Sequence, residues 1–396
     1  MLAQTIPIRM ATSESYLIFD DTLCDHVGSL FEYVDRHYDH CDGAYLLAHN
    51  LVTSHYLSGA VRFPVEYELY RRYKDVTQWE SFMAKHFPRQ ALPATAKARQ
   101  KLHKQLNQEL LKDPEFARLA QQFRTKIEIA QGLLTQAIEQ GLPFTTVLMD
   151  SWYLSSELVQ ALAIAKKDWV SLLKRNRNLE TSSFQLKDAT RQPIVLPQAQ
   201  IKVEDLVALI PQTAYRKIVQ GSKDHWCFTI CARIAGLGKV RLVISFENPQ
   251  LTGTFAVLIS NRTDWSANQI LAKYLKRWPY AFGGAKPYET FYRDGKQLLG
   301  LDVYRTRTFD TIEAHWCLVF VAYSILHLDS LPLPSSTGKG KRPTTHSKTI
   351  GEACRQQAQA LIEQLILFAH DRLEQGISAA EVFSRLFAKQ RKEVSV

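Results

Sequence analysis

Two apolar runs of strand character each end on carboxylates: Tyr16-Leu-Ile-Phe leads into Asp20-Asp21-Thr22, and Phe144-Thr-Thr-Val-Leu-Met leads into Asp150. A strand hands its last side chains to the edge of a sheet, so two such runs require a sheet with acidic groups along one edge. This excludes an all-helical chain. It also directs attention to what lies between the two runs and after the second.

Between them, Gly43 to Leu57 and Ala60 to Tyr70 are β-rich and joined by Ser58-Gly59, which makes three sequential strands and an antiparallel meander. From Trp79 to Gly141 the spacing of apolar residues is helical, and Gly141-Leu-Pro143 ends it. After Asp150, Ser155 to Lys166 reads as a helix and Trp169-Val-Ser-Leu-Leu as a buried strand. Three strands, a helix, a strand, a helix and a strand is the order of the ribonuclease H-like α/β fold, a mixed sheet flanked by helices. Residues 1–177 are read as the first part of that core and 178–262 as a β-rich insertion containing Trp226-Cys-Phe-Thr-Ile-Cys231 and Val240-Arg-Leu-Val-Ile-Ser. Residues 263–330 are read as its second part with a glutamate helix, 331–349 as a basic linker, and 350–396 as a helical C-terminal region.

The composition supports a folded chain, since 46% of the 396 residues are hydrophobic and 11% aromatic. The 49 Lys+Arg against 39 Asp+Glu give +10, which favours a polyanionic partner such as nucleic acid or an acidic membrane surface. Six scattered cysteines do not make a disulfide framework, so a reducing cytoplasm is expected. The N-terminus lacks a signal pattern, and the most apolar window, Cys317 to Leu328, is shorter than the ~20 residues of a membrane span. A soluble protein follows as the expectation.

The chemistry concentrates in Tyr274 to Lys296, YLKRWPYAFGGAKPYETFYRDGK. On a helix, Tyr274 and Arg277 share a face at i,i+3, Glu289 and Lys296 at i,i+7, and Arg293 lies one turn from Glu289. Phosphoryl transfer by paired metal ions ~3.5–4 Å apart needs carboxylates from different elements at one edge, with cations nearby to neutralise the phosphate. Asp21, Asp150 and Glu289 meet the first need; Arg277, Arg293 and Lys296 meet the second, with Tyr274 on the Arg277 face. The alternatives are aspartates that merely form turns and a solvated helix with ion pairs. Elsewhere, His37, His40, Cys41, Asp42 and His49 match no standard metal spacing. Gly236-Leu-Gly238-Lys reads as a turn between strands, and His315-Trp316 and Cys227/Cys231 as core.

These residues resemble those of the DDE-type insertion-sequence transposases, whose third carboxylate sits in a Y-x2-R-x3-E-x6-K signature. Tyr274-Leu-Lys-Arg277 is similar to its first half, and Glu289 with Lys296 to its second. Phe19-Asp20-Asp21-Thr22, Val147-Leu-Met-Asp150-Ser-Trp-Tyr and Lys296-Gln-Leu-Leu-Gly-Leu resemble the flanking motifs. The resemblance implies Mg²⁺ or Mn²⁺ held by Asp21, Asp150 and Glu289, with Asp21 preferred to Asp20 because the family's aspartate precedes the threonine. It implies that Tyr274, Arg277 and Lys296 grip phosphates near the cut. It further implies DNA hydrolysis at element ends, transfer of the 3′-hydroxyl strand to target DNA, a homodimer on DNA, and a cytoplasmic enzyme at the nucleoid when bound.

One departure stands out: eleven residues separate Arg277 from Glu289 where the signature has three. Pro279-Tyr280 recurs as Pro287-Tyr288, and removing residues 281–288 restores the spacing. This reads as an in-frame insertion, and Gly283-Gly284 and Pro287 would interrupt a helix there. The chain is then either an enzyme with the insertion looped out or a catalytically impaired remnant that only binds DNA. The insertion is expected to impair catalysis, so a 281–288 deletion should nick DNA with Mg²⁺ faster than the full chain; equal rates in a plasmid-nicking assay would sink that expectation.

Overall fold

The structure, a computed structural model, describes residues 14–39, 42–59, 61–91, 93–196, 198–277, 290–330 and 349–387. Glu289, the repeat-bounded stretch 281–288, His40, Cys41 and nearly all of the 331–349 linker lie outside the described residues. The chain divides into two units, Met1–Ser324 and Ile325–Val396.

The first unit is built on β1 (Ser15–Asp25), β2 (Asp35–Asp39), β3 (Ala44–Ser58), β4 (Val61–Tyr70), β5 (Thr146–Met149) and β6 (Asp168–Leu172). β1 lies antiparallel to β3 and parallel to β5, and β5 is parallel to β6. β4 pairs with Asn50–Ser58 of β3, and β2 with Ala44–Ala48, so β2 and β4 divide one edge of a long strand. The spatial order β4-β3-β1-β5-β6 is the mixed sheet of a ribonuclease H-like α/β fold, as the element order implied. β2, Asp-Arg-His-Tyr-Asp, has no apolar alternation and was not legible as a strand.

Parallel strands need crossover helices, and here they come from helical segments on either side of β5. α1 (Tyr73–Val76), α2 (Trp79–His86), α3 (Ala96–Leu110) and α4 (Pro114–Gln122) precede α5 (Lys126–Glu139), and α6 (Ser156–Ile164) joins β5 to β6. α5 begins at a reciprocal Thr125/Glu128 capping box and buries Ile129, Ala130, Leu133, Leu134 and Ala137. It packs on β3, β4 and α6.

The segment expected as a β-rich insertion contains β7 (Asn178–Glu180), β8 (Gln200–Lys202), α7 (Val203–Leu209), β9 (Arg216–Gln220), β10 (Lys223–Ile234), β11 (Gly238–Phe246) and β12 (Phe255–Ser260). β12 pairs antiparallel with β6, so these strands extend the central sheet to twelve. The apolar edge of β6 is thereby covered instead of left open to pair with another chain. Gly236 and Gly238, at φ +77° and +78°, take the left-handed conformation that the β10–β11 turn demands.

The opposite face of the sheet carries α8 (Ala267–Leu275), α9 (Thr290–Leu298) and the start of α10 (Phe309–Ser330). Tyr16, Ile18, Leu57, Leu148 and Val170 from the strands form one core with Ile270, Leu271 and Tyr274 of α8. α10 is longer than the apolar window read from the sequence, and Phe309–Asp329 would suffice by length and composition to cross a membrane. Its Ile312 and Trp316 are fully buried, and Trp316 stacks edge-on against His49, Tyr67 and Tyr304, which is the packing of a core helix. In the second unit, α11 (Ile350–Glu374) starts at a Thr349/Glu352 capping box and α12 (Ala379–Phe387) packs on it.

Leu148 is fully buried in the layer between β1, β6 and α8. Leu148→Ala should lower the unfolding free energy by about 2–5 kcal/mol, the range for a large-to-small change in a packed core. Denaturant titration measures it, and a loss below about 1 kcal/mol would mean that this layer is loosely packed.

Candidate active site

Strand alternation decides which carboxylates meet. Tyr16 and Ile18 of β1 lie in the core beneath α8, so two residues further along, Asp20 belongs to that face and Asp21 to the other. In the parallel pairing, Ile18 stands opposite Leu148, and Leu148 is in the same core. Two residues past that pair, on one face, stand Asp150, just beyond the end of β5, and Asp20, where β1 has left β5 but continues to Asp25 against β3, so β1 does not end at its aspartates as the sequence suggested.

Arg277 joins them. Its Nη2 lies 2.9 Å from Asp20 and 3.8 Å from Asp150, and Nη1 donates to the Tyr274 hydroxyl at 3.2 Å. α8 delivers both residues: it opens with a Ser266/Gln269 capping box, and Ile270, Leu271 and Tyr274 form its buried face. Arg277 follows one turn after Tyr274, its side chain only 4% exposed. Burial drives the Asp20 pKa up to about 7; Arg277 pulls it down, and Asp21 and Asp150 add to the rise. Burial works against the charge of Arg277, but Asp20, Tyr274 and Asp150 outweigh it and hold its pKa above the ordinary value.

Asp21, the aspartate preferred from the sequence, is placed elsewhere. Its carboxylate takes Lys126 Nζ at 2.7 Å and the Tyr153 hydroxyl at 3.0 Å, with the Asn50 amide within 3.3 Å. Lys126 is the first residue of α5, so this ion pair ties the start of that helix to β1. The structure thus brings Asp20, Asp150, Arg277 and Tyr274 together and sets Asp21 on the opposite side of the strand.

The helix that begins one residue after Glu289 is also fastened to β1 and β3. Lys296 Nζ donates to the Leu23 carbonyl at 2.6 Å. The Tyr292 hydroxyl bonds Thr53 Oγ1, which bonds His55 Nε2 at 2.8 Å and donates to the Asp20 carbonyl at 3.3 Å. Burial, then Arg62 and Arg277, push His55 down to about 3, so it is neutral in this network. Phe291 packs on His55, Phe320 and Tyr323. Arg293, 37% exposed, bonds the buried Asp294 at 2.8 Å. Tyr274, expected at a phosphate, is 6% exposed and faces Arg277.

Thr53, His55, Tyr153, Lys126 and Tyr292 were not singled out from the sequence. Tyr292 carried a signal: it is three residues after Glu289 and four before Lys296, so it shares their helical face. Tyr153 lies within the Val147–Tyr153 motif but was given no role there, and nothing local marks the others, which come from β3 and α5.

Among the described residues no group of three His, Cys, Asp or Glu side chains forms a metal cluster. The pair Asp20 and Asp150 nevertheless suits a hard divalent cation. Two oxygen donors from separate strands share one guanidinium, and burial disfavours the Asp20 charge.

A pH dependence follows from Asp20. With a folded pKa near 7 against an ordinary 3.8, the folded state holds a proton that the unfolded chain has released between those values. Stability from this group is full below pH ~4, falls as pH rises, and the loss is complete above pH ~7. In chelator, melting curves of the wild type should fall relative to Asp20→Asn across that window; parallel curves would overturn the burial of this charge.

Two family models match the chain. Residues 1–193 match the DDE superfamily endonuclease and residues 118–325 the transposase DDE domain, and both spans include Asp150. No curated protein matches it. The second match covers more than half of the chain and takes in β5, β6, Asp150 and Arg277: the protein belongs to the transposase DDE domain family.

Proposed function

We propose that this transposase-family chain cuts DNA at Asp20, Asp150 and Glu289 and joins the freed 3′-hydroxyl strand to target DNA. The observation that carries the reading is the reach of one guanidinium, Arg277, to aspartates on two different strands. Such convergence is what a divalent-ion site for phosphoryl transfer requires, and a turn-forming aspartate does not need it. Mg²⁺, or Mn²⁺ in its place, would be held by these carboxylates and would supply Lewis-acid stabilisation of the phosphate oxygens.

The remaining roles belong to the chain's own groups. Asp20 takes the place expected of Asp21, because Asp21 is engaged with Lys126 and Tyr153. Tyr274 orients Arg277 through its hydroxyl, and Arg277 is the cation placed to meet a phosphate beside the two aspartates. Lys296 and Tyr292 seat the helix that follows Glu289. Arg293, more exposed on that helix, is a candidate for the DNA backbone.

Glu289 lies outside the described residues, and its role is carried by the resemblance together with the seating of its neighbours. Arg277 on one side of the inserted stretch and Tyr292 on the other both connect to the Asp20 region of the sheet. That supports a working enzyme over a DNA-binding remnant. A homodimer on DNA, implied by the resemblance, is part of the proposal.

In a plasmid-nicking assay with Mg²⁺ or Mn²⁺, Asp20→Asn, Asp150→Asn and Glu289→Gln should each lose more than about 100-fold, beyond what loss of a supporting partner costs. Asp21→Asn should keep most of its activity. Loss at Asp21 with retention at Asp20 would reverse the assignment of the first carboxylate, and DNA binding without nicking by either the full chain or the 281–288 deletion would establish the remnant.

A further inference from the structure

Trp152 is the one tryptophan among the described residues that is exposed, at 59%, and it follows Asp150 by two positions. Large aromatic side chains gain by burial, so a ring held out at this edge needs a reason. It is held, not loose. Its backbone N–H donates to Asp150 Oδ1 at 2.8 Å, and the next residue, Tyr153, is fully buried with its hydroxyl on Asp21. Lys174, just past the end of β6, sets its Nζ 4.1 Å from the Trp152 ring centroid. β5 and β6 are parallel, so the ring and the ammonium stand at the same carboxyl edge as Asp150. Lys174 itself is exposed, as are Arg175 and Arg177 beside it.

We propose that Trp152 and Lys174 form a stacking seat for an unpaired base next to the phosphate that is cut. An aromatic face flanked by cations is the general solution for gripping single-stranded nucleic acid, because every base has a π-face and every nucleotide a charge. Trp152 is only two residues from Asp150 in the chain and its N–H is bonded to that carboxylate, so the seat lies beside the phosphate that is cut. In duplex DNA the bases are covered by their neighbours, and the ring can take one only when the strand is locally open. The seat therefore selects DNA that is unpaired, or can be unpaired, beside the cut. This rests on the reading of the Asp20–Asp150 edge as a DNA-cutting site.

The test measures binding in chelator, where nothing is cut, with a single strand of roughly 16 nucleotides carrying 2-aminopurine and with its fully paired duplex. Trp152→Ala should weaken the single strand by about 5- to 150-fold, the range for one lost stacking contact, and leave the duplex within about 2-fold. Trp152→Phe should recover most of the loss. Lys174→Gln should lower the salt slope on the single strand by about 0.7, one phosphate contact. Unchanged single-strand binding by Trp152→Ala, or equal losses on both probes, overturns the seat. A wild-type chain that holds the single strand through Trp152 yet cuts nothing sinks the cutting reading and leaves the seat standing.

Discussion

A buried guanidinium is tolerated only where carboxylates meet it, and the meeting of Arg277 with Asp20 and Asp150 is the constraint around which this fold is arranged. It depends on β1 and β5 being parallel neighbours, on the Ile18–Leu148 register, and on α8 lying across that face with Tyr274 buried. Shift the β1–β5 register by one residue and the alternation sends one aspartate to the far side. The same ion pair therefore reports strand pairing, helix placement and the electrostatics of the edge. Groups whose pKa values are shifted in this way cluster at functional sites.

β1 has both faces covered, and this gives its two aspartates different lives. On one face Asp20 shares Arg277 with Asp150; on the other Asp21 is satisfied by Lys126 and Tyr153, which fasten the start of α5 and the loop after β5. Asp20 is left with its pKa raised, first by burial, while the two aspartates beside it add to the rise. A carboxylate held in that state is poised to be neutralised by a cation in a way that a saturated surface ion pair is not. The pairing with Lys126 accordingly reads as structural support for the edge on which Asp20 and Asp150 stand.

The helix after Glu289 is fastened by polar contacts on one side and aromatic packing on the other. Tyr292, Thr53 and neutral His55 form a buried chain of hydrogen bonds behind Asp20, while Phe291 packs against Phe320 and Tyr323 of α10. Buried polar chains hold position well when every member has a partner, because an unmatched group is costly there. α10 repays this role with its own apolarity: the run that would suit a bilayer by composition is instead partly spent covering α9 and the long strand β3.

Much of this was already in the sequence. Two apolar runs leading into aspartates, helical spacing between them and the order of the segments pointed to an α/β chain of ribonuclease H type, and the resemblance of Tyr274–Arg277 and Glu289–Lys296 to a transposase signature implied the chemistry. Local pattern could go no further at three places. It could not choose between Asp20 and Asp21, because the run before them, Tyr16 to Phe19, is apolar and buried at every position and carries no alternation to reveal which side is which. It could not show that the expected insertion would extend the sheet through β12, since pairing between distant segments leaves no local mark. And it could not join Thr53 and His55 to Tyr292, more than two hundred residues away in sequence. Strand parity and long-range pairing are properties of the assembled sheet, and only the tertiary structure decided that Asp20 is the aspartate that faces Arg277 and Asp150.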